Sequence, residues 1–220
     1  MNTFFWVLAA IVLVLVVLQG RTAIPRIISF FFPGTRRLYF DDSGAPIGEK
    51  HREIVRPVLE KIEALGFSQL GIMTDKPPLW AKGSREIVLA SSEERAFASI
   101  GLRKNRLSYF FYTPFTGGQI VITAYNAFRD VHLDGFVTAV VYTEDIEGML
   151  AVHREQVREF MGQGFEPYQE YNRESIVKAT YSYYKSPFPR QRLRVAGIIN
   201  LLIYLVFILV LALLLWGAVG

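Results

Sequence analysis

The last 26 residues of the chain, Val195 to Gly220, read VAGIINLLIYLVFILVLALLLWGAVG and carry no charge. A bilayer core of about 30 Å takes roughly 20 apolar residues at about 1.5 Å rise each, so this run is long enough to span it as a helix. A second apolar run, Phe4 to Leu18, stands at the other end. Whatever folds between them is a polar domain tied to a membrane on both sides. The chain therefore divides into an N-terminal transmembrane anchor (1–20), a basic, aromatic interfacial segment (21–40) and a soluble domain (41–185). A basic linker (186–194) then leads into a C-terminal transmembrane helix (195–220).

The first run reads as an uncleaved anchor rather than a signal peptide. Met1, Asn2 and Thr3 supply no positive side chain, and Leu18-Gln19-Gly20-Arg21 makes a poor small-residue cleavage site. Its apolar length is extended by the stretch beyond Pro25. That stretch, IPRIISFFFP between residues 24 and 33, is too short to span by itself. It suits either an interfacial segment at the head groups or a strap on the domain.

Charge sets the expected orientation. Arg21, Arg26, Arg36 and Arg37 follow the first span with no acid among residues 21–40, and Arg190, Arg192 and Arg194 precede the second. Arginine and lysine mark the cytoplasmic side, which places the domain in the cytoplasm and both termini outside, in the plasma membrane. These seven arginines are the expected contacts to anionic lipid head groups. Together with Lys178 and Lys185 they account for nine cations, leaving 15 basic against 20 acidic residues for 41–177, a net charge of −5. A mildly acidic domain body argues against nucleic acid as a partner despite the overall charge of +4.

Hydrophobic periodicity predicts an α+β domain: an antiparallel meander of four to six strands with two or three helices. Ile54, Val55, Val58, Leu59, Ile62 and Leu65 recur at three- and four-residue steps over 49–65, a helical stripe that Pro57 should kink or shorten. Gly66 is placed to cap it. Residues 68–73, 86–90, 95–102, 107–113 and 119–125 read as strands with short connections, and 136–142 as a further one. Aromatics alternate onto both faces of 107–113, which predicts a central strand covered on both sides. Thr143 is the expected cap of a helix ending near Gly162, with Ile146, Met149, Leu150, Val157, Phe160 and Met161 inward and His153 on its polar side. Asn172 should cap a last helix over 174–185.

The sequence offers little chemistry. There is no cysteine, no G-x-S-x-G elbow, and the Thr116-Gly117-Gly118-Gln119 turn lacks a phosphate-loop lysine. No two histidines stand at the i, i+4 spacing of a helical metal site, so neither metal nor cofactor is expected. The best acid/base candidate is the loop holding Asp130, His132 and Asp134, where a carboxylate two residues away can orient an imidazole. Seventeen phenylalanines and eleven tyrosines are many for 220 residues. Tyr109, Phe111, Tyr181 and Tyr184 are the candidates to line an apolar ligand pocket or a protein interface, unless they simply fill the core. Asn200 and Tyr204, four apart in the second span, share a face that suits a hydrogen bond to a neighbouring helix.

These features favour a non-catalytic, two-span subunit or scaffold whose domain contacts a protein partner, or a second copy, at the membrane surface. The alternative is a membrane-tethered enzyme or lipid-ligand protein that uses an aromatic pocket and the Asp130/His132/Asp134 loop.

Overall fold

A computed structural model describes residues 3–41, 49–103, 106–125, 130–133, 135–142 and 144–219. The chain forms two compact units. One comprises Leu38–Asp75 and Ser84–Ser186; the other comprises Met1–Arg37, Lys76–Gly83 and Pro187–Gly220.

The first unit is built on one sheet of eight strands: β1 (Arg37–Phe40), β2 (Ser68–Lys76), β3 (Ser84–Ser91), β4 (Ala96–Arg103), β5 (Arg106–Pro114), β6 (Ile120–Tyr125), β7 (Val131–Leu133) and β8 (Phe136–Val140). Their order is β1-β2-β3-β4-β5-β6-β8-β7. From β2 to β6 each strand pairs antiparallel with the next, the meander that the short turns predict. The sheet departs from the expected meander in two ways. The sheet has eight strands, because β1 and β7, at four and three residues, are too short to show a period of two. It is also mixed: after β6 the chain lays β7 on the outside and turns back at Gly135 (φ 70°). The returning β8 therefore pairs parallel with β6.

Three helices cover this sheet: α2 (Glu49–Ala64), α3 (Ile146–Gly162) and α4 (Arg173–Lys185). On one face, Val55, Val58 and Ile62 of α2 and Ile146, Met149 and Leu150 of α3 close over Ile87, Leu89, Ala98, Ile100, Tyr109 and Phe111. On the other, α4 buries Ile176 and Ala179. β5 is thus covered on both sides, as its two aromatic faces predict. Helix α2 runs unbroken through Pro57, which forfeits one backbone bond, and ends before Gly66 at φ 85°. Phe67 then folds onto Phe111, ring centroids 5.4 Å apart. Thr143 lies outside the described residues; the cap of α3 is Asp145, whose carboxylate accepts from Gly148 N. Asn172 caps α4 in a reciprocal box with Ser175.

The second unit pairs two long helices, α1 (Thr3–Phe31) and α5 (Pro187–Val219). Within them, Trp6–Ser29 and Pro189–Gly217 are long and apolar enough to cross a membrane. The stretch beyond Pro25 continues α1 to Phe31, and the basic residues 190–194 form the opening turns of α5. Leucines 202, 209 and 213 stand 57, 59 and 63 % exposed. A continuous apolar shell of this kind suits lipid rather than water. The helices run antiparallel along a seam of small residues that includes Ala9, Gly20 and Ala23. At that seam Asn200 Oδ1 accepts from Arg26 (3.4 Å) while its Nδ2 donates to Ala196 O (2.6 Å).

Gly20 is a point of close approach. A Cβ there would lie 3.3 Å from Cε2 of Tyr204. A methyl needs a shift of tenths of an ångström, whereas a leucine needs the helices to part. Gly20→Leu is therefore expected to lower the melting temperature of the chain in mild detergent by several degrees, with Gly20→Ala near wild type; circular dichroism checks both.

Candidate functional site

The register of the sheet sets three rows of side chains on the face beneath α4. Met73 and Glu86 form one, Val88, Ser99 and Phe110 the next, and Phe97, Tyr112 and Ile122 the third. With Ile176, Thr180, Tyr183 and Tyr184 of α4 they line a half-open cavity of about 220 Å³. Its walls are mainly aromatic and aliphatic. Two carboxylates, Asp75 and Glu86, stand at one side.

Several polar groups here have defined partners. The Tyr184 hydroxyl donates to Asp75 Oδ2. Ser99 Oγ donates to Glu86 Oε2 at 2.5 Å. Opposite Glu86 in the register is Gly101, where any Cβ would come within 3.0 Å of Glu86 Cγ; the missing side chain lets the carboxylate lie across the sheet. Desolvation raises the Glu86 pKa, opposed by the Ser99 hydrogen bond and reinforced by the nearby Asp75 charge. Burial also lifts Tyr112 well above the ordinary phenol value, so it stays neutral and donates to Ala179 O at 2.8 Å. The arrangement is an apolar chamber with a buried glutamate of raised pKa and a tyrosine-bonded aspartate, able to receive a small apolar molecule by its polar end.

Of the aromatic candidates, Tyr184 lines this chamber. Tyr181 lies half-buried on α4 and is not among the lining residues. Tyr109 and Phe111 point to the opposite face, 1 and 0 % exposed, where Tyr109 stacks on Tyr125 at 4.9 Å. Burial pushes the Tyr109 hydroxyl up to about 12. His132 is exposed on the outer strand β7 rather than in a loop. Asp130 is spent on the backbone, accepting from Val140 N at 2.6 Å. Asp134 lies outside the described residues. Neither His132 nor Asp130 lines the chamber. Arg21 and Arg26 lie on α1, Arg36 precedes β1, Arg37 opens it, and Arg190, Arg192 and Arg194 sit on α5.

His153, expected on the polar side of α3, is instead 1 % exposed on the α2/α3 face of the sheet. Thr113 Oγ1 donates to Arg95 O, so it accepts from His153 Nε2, 2.9 Å away; Nδ1 lies 3.0 Å from Thr123 Oγ1, whose hydroxyl donates to Gln156 Oε1 at 3.2 Å. Burial lowers its pKa to about 3. Met161, expected inward, is exposed at the helix end.

Among the described residues no group of three or more histidines or carboxylates is placed to hold a metal ion. Comparison with protein-family models, with curated proteins and with solved structures finds no match for this chain. The class it defines rests on its own geometry: an α+β domain with a half-open aromatic chamber, carried by a chain that also forms two helices long and apolar enough to cross a membrane.

Proposed function

We propose that this is a two-span protein of the plasma membrane whose cytoplasmic domain is a non-catalytic ligand-binding subunit. The chamber under α4 carries that reading. Its ligand is small and largely apolar, with one basic or hydrogen-bond-donating group that meets the Asp75 carboxylate. Rings of Phe97, Phe110, Tyr112 and Tyr184 supply apolar surface and faces that favour a cation. In the sequence, Asp75 directly precedes the Lys76–Gly83 segment, and Tyr184 stands three residues before α5. Ligand occupancy thus acts on residues joined by the chain itself to the membrane helices. Orientation with both termini outside, and contact of Arg21, Arg26, Arg36, Arg37, Arg190, Arg192 and Arg194 with anionic lipids, follow from the distribution of cations.

A second reading, a scaffold that docks a protein, draws on the far edge of the sheet. There Leu133 is 50 % and Tyr142 is 86 % exposed.

One experiment separates them. The full chain is purified in mild detergent beside Thr180→Phe, which fills the chamber without touching either carboxylate, and both are examined by native mass spectrometry. A small-molecule adduct on wild type, lost in the variant, supports the ligand reading. A bare wild-type chain, or an adduct that persists in Thr180→Phe, sinks it. A stoichiometric protein partner retained by both chains favours the scaffold.

A further inference from the structure

The membrane unit contains a feature that the ligand chamber does not explain. Where α1 leaves its apolar stretch, a cleft of about 600 Å³ is lined by Arg21, Arg26, Arg36 and Lys82, with Trp80 and Ser29 between them. Among the described residues no carboxylate lines it, and the sequence of residues 1–37, 76–83 and 187–220, which form this unit, contains no aspartate or glutamate. Arg21 and Arg26 fall inside the apolar segment Trp6–Ser29. Cations at that depth are costly unless they reach the interface or meet an opposite charge.

Trp80 fixes the level of the cleft. Its Nε1–H donates to the backbone carbonyl of Arg21 at 2.7 Å, yet the residue is 53 % exposed, and its neighbour Leu79 is 49 % exposed. An indole held by its N–H with its ring exposed beside lysine and arginine is the arrangement that suits the head-group zone of a bilayer. Below this level the outer surface is aliphatic, as acyl chains require.

We propose that this cleft is a binding site for the phosphate head group of an anionic phospholipid, with Arg21, Arg26 and Lys82 supplying the charge and Trp80 the interfacial anchor. The inference rests on the reading that both long helices cross the membrane. It differs from general attraction to an acidic surface, because it assigns a discrete, saturable site to three particular cations. Arg190, Arg192 and Arg194, on α5, do not line the cleft and should be dispensable.

The test uses the full chain in nanodiscs of phosphatidylcholine with or without phosphatidylglycerol, released into the gas phase and weighed with its retained lipids. Wild type is expected to keep one phosphatidylglycerol per chain. Arg21→Gln/Arg26→Gln/Lys82→Gln should lose at least tenfold in retention, and Arg190→Gln/Arg192→Gln/Arg194→Gln should stay within twofold. The lysine-for-arginine pair Arg21→Lys/Arg26→Lys, which keeps the charge, should retain the lipid and guards against loss through misfolding. Equal losses in both glutamine triples would reduce the cleft to diffuse surface charge and overturn the proposal. So would displacement of the lipid by millimolar inorganic phosphate, which would make the site one for a soluble anion. A chain that fails to enter nanodiscs overturns the membrane reading itself, and the proposal with it.

Discussion

Lowering the pH from 7 to 4 is expected to cost the domain about 3 kcal/mol through His153 alone. The imidazole is buried between α3 and the sheet, and its pKa falls from 6.5 to about 3 because burial disfavours the cation. Folding therefore releases a proton. The contribution is complete above pH 6.5 and declines as pH falls through the window from 6.5 to about 3. It amounts to about 2 kcal/mol lost by pH 5 and about 3 kcal/mol by pH 4. Thr113 Oγ1 donates to Arg95 O and Thr123 Oγ1 to Gln156 Oε1, so the cost of charging the ring is that of burying a cation, not of a lost hydrogen bond. His153→Gln keeps a donor and an acceptor but does not titrate. Thermal unfolding of the full chain in detergent at fixed ionic strength should show a steep acid limb in wild type and a flatter one in the variant. Parallel curves would show that the histidine is not held neutral.

The unequal legibility of these features in the sequence has physical causes. The two apolar helices and the meander are announced by long, periodic segments, and the caps at Gly66 and Asn172 by local chemistry that tertiary contacts do not alter. β1 and β7 are too short to carry a period, and β8's parallel pairing depends on which strand it reaches, which no local pattern encodes. The chamber was half visible. Two-sided aromatics on β5 imply cover on both faces, but an incomplete fit between α4 and the sheet is a matter of side-chain volumes. Glu86 did leave a signal. It alternates in phase with Val88 and Ala90 on a strand whose other face, Ile87 and Leu89, is buried, so it had to point into the protein. His153 left one too, standing three residues after Leu150 and four before Val157 on the buried stripe of α3. Reading histidine as polar hid it. The Asp130/His132 pair falls at an edge hairpin in which the aspartate serves a backbone N–H, a placement that the spacing alone does not encode.

Replacing Phe111 with alanine should lower stability by about 3–5 kcal/mol, while Tyr184→Phe should cost about 1–3 kcal/mol. Both residues belong to the aromatic set singled out by composition, and the contrast separates core from chamber. Phe111 is fully buried on the central strand, with Phe67 at 5.4 Å and His153 at 5.9 Å between ring centroids. Truncation there loses transfer energy and leaves a hole that two helices and a paired strand cannot close. Tyr184 faces a space that already exists, so removing its hydroxyl creates no large void and withdraws the hydrogen bond to Asp75. Ligand effects should run the other way. Any small molecule carried by the wild-type chain should persist in whatever fraction of Phe111→Ala remains folded at low temperature. It should be weakened in Tyr184→Phe, whose altered Asp75 environment is the ligand's polar anchor. Denaturant midpoints paired with native mass spectrometry on the same samples read both quantities. Equal stability losses would place Tyr184 in the core, and a ligand insensitive to Tyr184 would remove the chamber's acidic side from recognition.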